Sequence, residues 1–283
     1  MKTRHITPEL RKQVIDRAVA GGSPEAVLEP LLADGWSEQE AVDAVENITR
    51  EFLAEHARAN ALPAPVRVPS PVGLNGPSVV QAADREVQVL ANLLLPRIVV
   101  FGSLLSHDEC DALIEMAREH LARSSVLNEN TGTEEIHEAR TSEGTYFTRG
   151  ANALLQRIET RIAALLDWPL ENGEGVQVLR YGPGAQYKPH YDYFDPRGPG
   201  MQSVLKRGGQ RVASVVIYLN TPRRGGATTF PDARFEVAAI KGNAVFFSYD
   251  RPHPMTKSLH GGAPVLEGEK WVATKWLREA PHV

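Results

Sequence analysis

The stretch VQVLRYGPGAQYKPHYDYFDP, residues 176–196, combines two strand-like runs with a histidine and an aspartate two positions apart. Side chains two apart in an extended strand point to the same side. His190 and Asp192 are therefore expected to face one point inside a barrel. That point is either a metal ion or a buried hydrogen-bonded pair, and the spacing alone is compatible with both.

Short β-branched and aromatic runs continue along the chain beyond this stretch, separated by Gly and Pro turns. Two amphipathic helical patterns and the strand-like run PRIVVF come before them. Helices followed by antiparallel strands predict an α+β domain with a double-stranded β-helix (jelly-roll) core flanked by helices. The strand-like runs are VQVLRY, RVASVVIYLN, ARFEVAAI, NAVFFSYD and KWVATKWL, and the helical ones are SHDECDALIEMAREHLARS and ANALLQRIETRIAALLD.

The N-terminal part has a different pattern. Residues 1–61 predict a small accessory module of three helices, because Thr7-Pro8, Ser23-Pro24 and the capping box that begins at Ser37 are helix-start signals. Residues 62–80 are rich in proline and predict an extended linker. Residues 81–283 then form the larger domain.

Composition limits the function classes. The chain of 283 residues is 42% hydrophobic and 23% charged, with a net charge of −4. Neither a strongly basic field for nucleic acid nor an apolar run of membrane-spanning length is present in the sequence. Cys110 is the single cysteine, which excludes a multi-cysteine zinc site. A single cysteine cannot form an internal disulfide, which fits a reducing compartment. The N-terminus has no apolar signal region. Both features predict a cytoplasmic protein.

A stable metal site needs a third ligand after His190 and Asp192. His253 lies between prolines and His282 is near the C-terminus, whereas His260 precedes a Gly-Gly turn and the last strand-like run, and is the best candidate. Two histidines and one carboxylate are the ligand set of non-haem Fe(II) oxygenases, and zinc is the competing metal. In the run that follows, Lys270, Val272, Thr274 and Trp276 share one face and Trp271, Ala273 and Lys275 the other. A lysine on the inner face needs an anion, such as a dicarboxylic co-substrate.

Residues from about 97 to 278 resemble the prolyl 4-hydroxylase family of Fe(II)/2-oxoglutarate-dependent dioxygenases. The resemblance covers five ordered blocks, which makes it far more specific than the histidine–aspartate pair alone. Departures are Ala227, where the family often has an acidic residue, and Ala263, where it often has cysteine; neither affects the ligand set. The blocks are VQVLRYGPGAQYKPHYDYF, GGQRVASVVIYLN, GGATTFP, GNAVFFSYD and SLHGGAPVLEGEKWVATKW.

The resemblance implies roles for individual residues. The implied iron ligands are His190, Asp192 and His260, which with Lys270 make up the catalytic set. Lys270 would pair with the distal carboxylate of 2-oxoglutarate, with Tyr181 and Thr228 as hydrogen-bonding partners and Trp276 lining the site. The residues at positions associated with the peptide groove are Arg140, Ser142, Glu174, Tyr187 and Arg211.

The function implied by the resemblance is hydroxylation of a prolyl residue at the 4-position in a peptide or protein, with succinate and CO2 as co-products. Fe(II) is the cofactor, 2-oxoglutarate and O2 are co-substrates, and ascorbate is the expected reductant. The alternative is the same chemistry on a free amino acid, a natural-product intermediate or another side chain, since the substrate loops at 124–150 and 195–210 are weakly patterned. A third hypothesis is a binding protein, in which the helical module recruits a protein partner and the β domain is a degenerate scaffold.

Overall fold

The computed structural model describes residues 5–73, 75–128 and 130–282 of the chain. Residues 1–4 of the predicted module and residue 129 of the first predicted substrate loop lie outside the described residues. The chain divides into two compact units, Met1–Ala64 and Pro65–Val283.

The first unit contains helices α1 (Pro8–Val19), α2 (Pro24–Ala33) and α3 (Glu38–Ala59). Each begins after a side-chain cap, and the cap of α3 is the predicted capping box, in which serine and glutamate satisfy each other's backbone N–H groups. One apolar face of each helix forms a small common core. Its buried residues are Leu10, Val14, Val27, Leu31, Ala41, Ala44 and Ile48.

Only part of the predicted linker at residues 62–80 lies outside the second unit. From Pro65 onward it belongs to the second unit. The backbone N–H of Val66 donates to the carbonyl of Asp250 at 2.7 Å, and Val72 is buried in the main core. The prolines keep this segment extended, but its valines find apolar contacts, so part of it packs as an arm of the larger unit.

The second unit is an α+β structure, as the sequence predicts. Its helices are α4 (His107–Arg118), α5 (Ala153–Leu166) and α6 (Met201–Leu205). Its strands are β1 (Val79–Ala82), β2 (Arg85–Leu93), β3 (Arg97–Gly102), β4 (Ala122–Arg123), β5 (Val126–Leu127), β6 (Glu134–Glu135), β7 (Glu143–Phe147), β8 (Gly173–Tyr181), β9 (Tyr187–His190), β10 (Arg211–Tyr218), β11 (Arg224–Gly225), β12 (Thr228–Phe230), β13 (Phe235–Val237), β14 (Ala244–Ser248), β15 (His260–Gly262), β16 (Val265–Glu267) and β17 (Lys270–Arg278).

Two antiparallel sheets form the jelly roll. The strand order in the large sheet is β1-β2-β3-β14-β10-β17-β8-β7-β4, and in the small sheet it is β13-β12-β15-β9. The pairs β11-β16 and β5-β6 are separate short ladders. Because β14, β10, β17 and β8 lie at the centre of the large sheet, their inward side chains are the ones available to a site inside the roll.

The two faces of the large sheet bury different cores. The outer face packs against α4 and α5, and includes Trp271 and Ala273 of β17. The inner face packs against the small sheet, where Val272 of β17 shares a cluster with Phe230 and Phe247. The alternation predicted for KWVATKWL is therefore observed, and Lys270 is on the inner side of β17 with the site.

Candidate active site

The two candidate histidines lie side by side on adjacent strands of the small sheet. His190 ends β9 and His260 begins β15, and the two residues are direct partners in the antiparallel register. Their ring centroids are 4.4 Å apart. Asp192 lies in a bend just beyond the end of β9, so only His190 of the predicted His190–Asp192 pair is on a strand. The Asp192 carboxylate still lies close to both imidazole rings. The possible ligand atoms of the three residues lie within 4.8 Å of one another.

The ring nitrogens of both histidines are set by local backbone contacts. Nδ1 of His190 is 2.9 Å from the carbonyl oxygen of Lys188, and Nδ1 of His260 is 3.0 Å from that of Ser258. A carbonyl oxygen accepts and does not donate, so each Nδ1 carries the proton in the neutral ring. Each Nε2 consequently presents a lone pair, as a metal ligand requires.

The two Nε2 atoms both point at the Asp192 carboxylate. Nε2 of His190 is 3.5 Å from Oδ1, and Nε2 of His260 is 3.5 Å from Oδ2. Lone pairs that face carboxylate oxygens repel one another unless a cation lies among them. Two neutral imidazoles and a carboxylate are a donor set that suits Fe(II), so the residues present fit a bound ferrous ion.

Burial controls the protonation of these ligands. Burial of His260 lowers its pKa to about 4, which keeps the ring neutral at physiological pH. Burial alone would raise the pKa of Asp192, but the groups around it, among them the Arg211 guanidinium, outweigh it and the net direction is down. Both ligands are therefore in their metal-binding forms without competition from protons.

Aromatic rings enclose the imidazoles. Tyr187 stacks on the ring of His190 at a centroid distance of 3.6 Å. Phe247 lies 4.4 Å from the ring of His260, and Phe230 lies 6.1 Å from it. These contacts restrict both ligand rings to one orientation and keep bulk water away from that side of the site.

Lys270 lies at the start of β17 and is 4% exposed. Its Nζ is 5.6 Å from the ring centroid of Tyr181 and 5.7 Å from that of Tyr218. In the described part of the chain, no hydrogen bond or ion pair is found for this ammonium group. Burial lowers the pKa of Lys270 to about 8. An ammonium group that is buried without a carboxylate favours a small anionic ligand as its partner.

Hydroxyl groups lie beside this ammonium group. Tyr181 is the cross-strand partner of Lys270, and the hydroxyl of Tyr218 donates to Oγ1 of Thr228 at 2.8 Å. Tyr218 was missed in the sequence interpretation. The available signal was its position on β10, two and four residues beyond Val216 and Ser214, on the face that lines the site.

Comparisons with known proteins agree with this geometry. A sequence model described as the 2OG-Fe(II) oxygenase superfamily matches residues 176–278. Prolyl 4-hydroxylase 5 of Arabidopsis thaliana is 39% identical over 203 residues, which is 64% of this chain and 68% of the plant protein. Prolyl 4-hydroxylase 1 of the same plant is 42% identical over 202 residues, covering 65% and 69% of the two chains.

This chain belongs to the prolyl 4-hydroxylase family of 2OG-Fe(II) oxygenases. Among solved structures, a viral collagen prolyl hydroxylase from Paramecium Bursaria Chlorella virus-1 is 30% identical, with a TM-score of 0.49 and coverage of 64% of this chain and 95% of that one. A Pseudomonas putida prolyl-4-hydroxylase is 21% identical, with a TM-score of 0.46 and coverage of 64% and 92%.

Membership of the 2OG-Fe(II) oxygenases implies Fe(II), 2-oxoglutarate and O2 as reaction components. The family settles the choice between iron and zinc that the donor set leaves open. Intact ligand geometry is inconsistent with the hypothesis of a degenerate scaffold.

A second polar group borders the site on the other side. Arg211 binds Glu174 through two hydrogen bonds, Nε to Oε1 at 2.7 Å and Nη2 to Oε2 at 2.9 Å. Its guanidinium lies 4.0 Å from the ring centroid of Trp276 and 4.8 Å from that of Phe194. Burial alone would lower the pKa of Arg211, but the Glu174 carboxylate outweighs it and raises that pKa. The indole Nε1 of Trp276 is buried and has no partner among the described residues.

Arg140 and Tyr187 form a third contact at the site. The Arg140 guanidinium is 5.0 Å from the ring centroid of Tyr187, which itself stacks on His190. Nη2 of Arg140 donates to Oε1 of Gln177 at 2.8 Å. The predicted groove residue Ser142 is 0% exposed, and its hydroxyl donates to that of Ser124 at 2.9 Å. Its role in the groove stays a prediction.

No helix in the described ranges is long and apolar enough to cross a membrane.

Proposed function

We propose that this chain hydroxylates prolyl residues of a peptide or protein at the 4-position, using 2-oxoglutarate and O2 and releasing succinate and CO2. The observation that supports this most strongly is the His190–Asp192–His260 cluster, of which Asp192 and His260 are buried, together with the unpartnered Lys270 ammonium group, in a chain 39% identical to a prolyl 4-hydroxylase. The similarity to plant prolyl 4-hydroxylases does not favour the alternative of a free amino acid or another small molecule as substrate.

In the proposed mechanism, His190, Asp192 and His260 would hold Fe(II) through two imidazole nitrogens and a carboxylate. Bound Fe(II) with 2-oxoglutarate supplies the oxidising power for hydroxylation of an unactivated C–H bond. Lys270 binds the distal carboxylate of 2-oxoglutarate, and Tyr181 and Thr228 orient it by hydrogen bonding. The aromatic wall around the two histidines excludes water from the reacting centre.

The peptide would be positioned by the polar groups that border the site. Glu174 uses both oxygens to hold Arg211, which leaves Nη1 of Arg211 to donate to a substrate carbonyl. Trp276 packs its ring against the Arg211 guanidinium and holds it in place. Arg140 and Tyr187 form the other side of this groove, with the tyrosine ring between the guanidinium and the iron ligand.

Three further parts of the proposal concern the cellular setting. Ascorbate serves as the reductant that restores ferrous iron, and loss of activity over repeated turnovers in its absence would support this. A cytoplasmic location is in accord with the single, buried, free cysteine, and fractionation of cells would test it. The helical module binds a protein partner, which an affinity capture with residues 1–64 deleted as control would test.

The central experiment incubates the full-length protein with proline-containing peptides, Fe(II), 2-oxoglutarate and ascorbate. Mass spectrometry should find one added oxygen atom on proline, in proportion to the succinate formed. Asp192→Asn should lose both iron and activity, because the neutral amide no longer offsets the metal charge. Hydroxylation of another residue or of a small molecule would contradict the prolyl substrate and retain the dioxygenase, whereas full activity of Asp192→Asn would exclude Asp192 as a ligand.

A further inference from the structure

We infer that Ser214 and Tyr249 are positioning residues that determine which oxygen of Asp192 binds the metal, an inference that rests on the proposed function. The two residues come from neighbouring strands of the large sheet. Ser214 lies in the middle of β10, and Tyr249 directly follows β14. Both are buried and reach the site from the side opposite the small sheet that carries the histidines.

The contacts form a continuous chain of hydrogen bonds. Oγ of Ser214 donates to Oδ2 of Asp192 at 2.6 Å. The hydroxyl of Tyr249 lies 3.0 Å from the same Oγ. A buried hydrogen bond of this length to a carboxylate is of the charge-assisted, stronger class.

The donors and acceptors in these hydrogen bonds follow from the charge of the Asp192 carboxylate. An ionised carboxylate can only accept, so the single proton of Ser214 is used on Asp192. The oxygen of Ser214 must then accept from Tyr249, because its own proton is already engaged. Each donation polarises the next group, so the tyrosine strengthens the bond that the serine makes to Asp192.

The consequence concerns the two carboxylate oxygens. Oδ2 accepts the hydrogen bond from Ser214, which stabilises negative charge on that oxygen. Oδ1 faces Nε2 of His190 and accepts no hydrogen bond from a hydroxyl group of the described residues. Oδ1 is therefore the stronger metal ligand, and Asp192 binds through one atom. Single-atom binding would matter because a carboxylate bound through both atoms would take up a coordination position that the co-substrates need.

The chain offers a matched control at Ser248. This serine lies on β14, is the register partner of Ala213 beside Ser214, and is 4% exposed. Its hydroxyl has no hydrogen-bond partner among the described residues. Ser248→Ala therefore removes a buried serine hydroxyl from the same part of the sheet without touching Asp192.

The experiment measures metal binding without turnover. Metal-free wild type and the variants Ser214→Ala, Ser214→Thr, Tyr249→Phe and Ser248→Ala are titrated with Co(II), and the visible spectrum of bound cobalt reports its coordination. Ser214→Ala should raise the Kd about tenfold to about a hundredfold, the usual cost of losing an outer partner of a metal ligand, and should change the cobalt spectrum. Tyr249→Phe should have the same direction and a smaller size. Ser214→Thr, which keeps the hydroxyl, and Ser248→Ala should resemble wild type.

Equal affinities and spectra for wild type, Ser214→Ala and Tyr249→Phe would overturn the inference and leave the proposed function intact. A loss shared by Ser248→Ala would also overturn it, since the effect would then be general to the sheet. If Ser214→Ala is unfolded by circular dichroism in its metal-free form, Tyr249→Phe decides on the same criterion. A wild type that binds cobalt normally but hydroxylates no proline would contradict the proposed function alone, because the cobalt comparison does not depend on the substrate.

Discussion

Strand β17 carries two buried lysines on its opposite faces, and their surroundings differ. Lys275 is 2% exposed and faces the outer core, where its Nζ donates to Oε1 of Glu159 in α5 at 2.5 Å. Lys270 is 4% exposed and faces the site, where the described residues offer it aromatic rings but no carboxylate. The same residue type, in the same strand, is paired on one side and unpaired on the other.

The difference separates a structural charge from a functional one. Burying an ammonium group costs several kcal/mol unless an anion compensates it. For Lys275 the compensation is part of the fold and is always present. For Lys270 it has to come from a ligand. Under the proposed function that ligand is 2-oxoglutarate, and the cost of burying the lysine then adds to the affinity for it. Burial alone would therefore not identify the functional lysine, but burial together with the missing partner does.

The largest expected effect is on stability, at the paired lysine. Lys275→Met leaves the Glu159 carboxylate buried with the Gly150 backbone N–H, at 2.8 Å, as its remaining donor. We expect the free energy of unfolding to fall by about 3–5 kcal/mol, because removing one partner of a buried pair strands the other. Urea denaturation followed by circular dichroism measures this, and the affinity for 2-oxoglutarate should be unchanged in the folded fraction.

The double variant Lys275→Met/Glu159→Leu is the control for this prediction. Replacing both partners by apolar groups removes the stranded charge, so most of the lost stability should return. If Lys275→Met were as stable as wild type, the Lys275–Glu159 pair would contribute nothing to the free energy of unfolding. Lys275 could then not be called a structural charge.

The next effect is on ligand binding, at the unpaired lysine. Lys270→Met should weaken 2-oxoglutarate binding by about 2–5 kcal/mol, which is roughly 30-fold to several-thousand-fold in Kd. The ligand-free protein should be as stable as wild type or more so, since an uncompensated charge has been removed. Calorimetric titration of the cobalt-loaded protein with 2-oxoglutarate measures the first quantity and thermal unfolding the second. Unchanged affinity would exclude Lys270 from the co-substrate site.

Part of this contrast was accessible from the sequence. The period of two in KWVATKWL predicts that Lys270 and Lys275 lie on opposite faces, because strand alternation is a local property. The partner of Lys275 was not predictable in the same way. Glu159 is 116 positions earlier, and only the packing of α5 against the sheet brings it to the lysine.

The site shows the same division. The ligands His190, Asp192 and His260 lie in recognisable local motifs, and the structure brings them together. Ser214 and Tyr218 on β10, and Tyr249 just after β14, were missed because the sequence around them is mainly apolar and their polar partners are distant in sequence. Ser142, assigned to the groove by its motif, is buried and bonded to Ser124, and its groove role stays a prediction. Local pattern therefore fixes which residues can react, and tertiary packing fixes what surrounds them.

The pH dependence of binding is a finer test of the unpaired lysine. Burial lowers the pKa of Lys270 to about 8, and only its protonated form attracts a carboxylate. Raising the pH through 8 therefore deprotonates the free enzyme, and the affinity for 2-oxoglutarate should fall about tenfold per pH unit above that value, or about 1.4 kcal/mol. Titration calorimetry from pH 7 to pH 9.5 measures the slope. Lys275→Met should show the same slope, and a flat profile in wild type would contradict an ammonium of depressed pKa in the pocket.

The smallest expected effect concerns the hydroxyl beside Lys270. Tyr218 donates to Oγ1 of Thr228 at 2.8 Å, which directs the threonine's own proton toward the pocket. Tyr218→Phe keeps the ring near the ammonium but frees Thr228 to rotate, so we expect binding of 2-oxoglutarate to weaken by about 0.5–1.5 kcal/mol, the usual worth of one hydrogen bond. The matched control is Tyr146→Phe, at a tyrosine that is 48% exposed and whose hydroxyl accepts from the Gly175 backbone N–H at 2.6 Å; this change should leave the affinity unchanged. If both variants bind 2-oxoglutarate as wild type does, the Tyr218–Thr228 hydrogen bond does not contribute to the affinity for 2-oxoglutarate, and the Lys270 charge accounts for binding of the carboxylate.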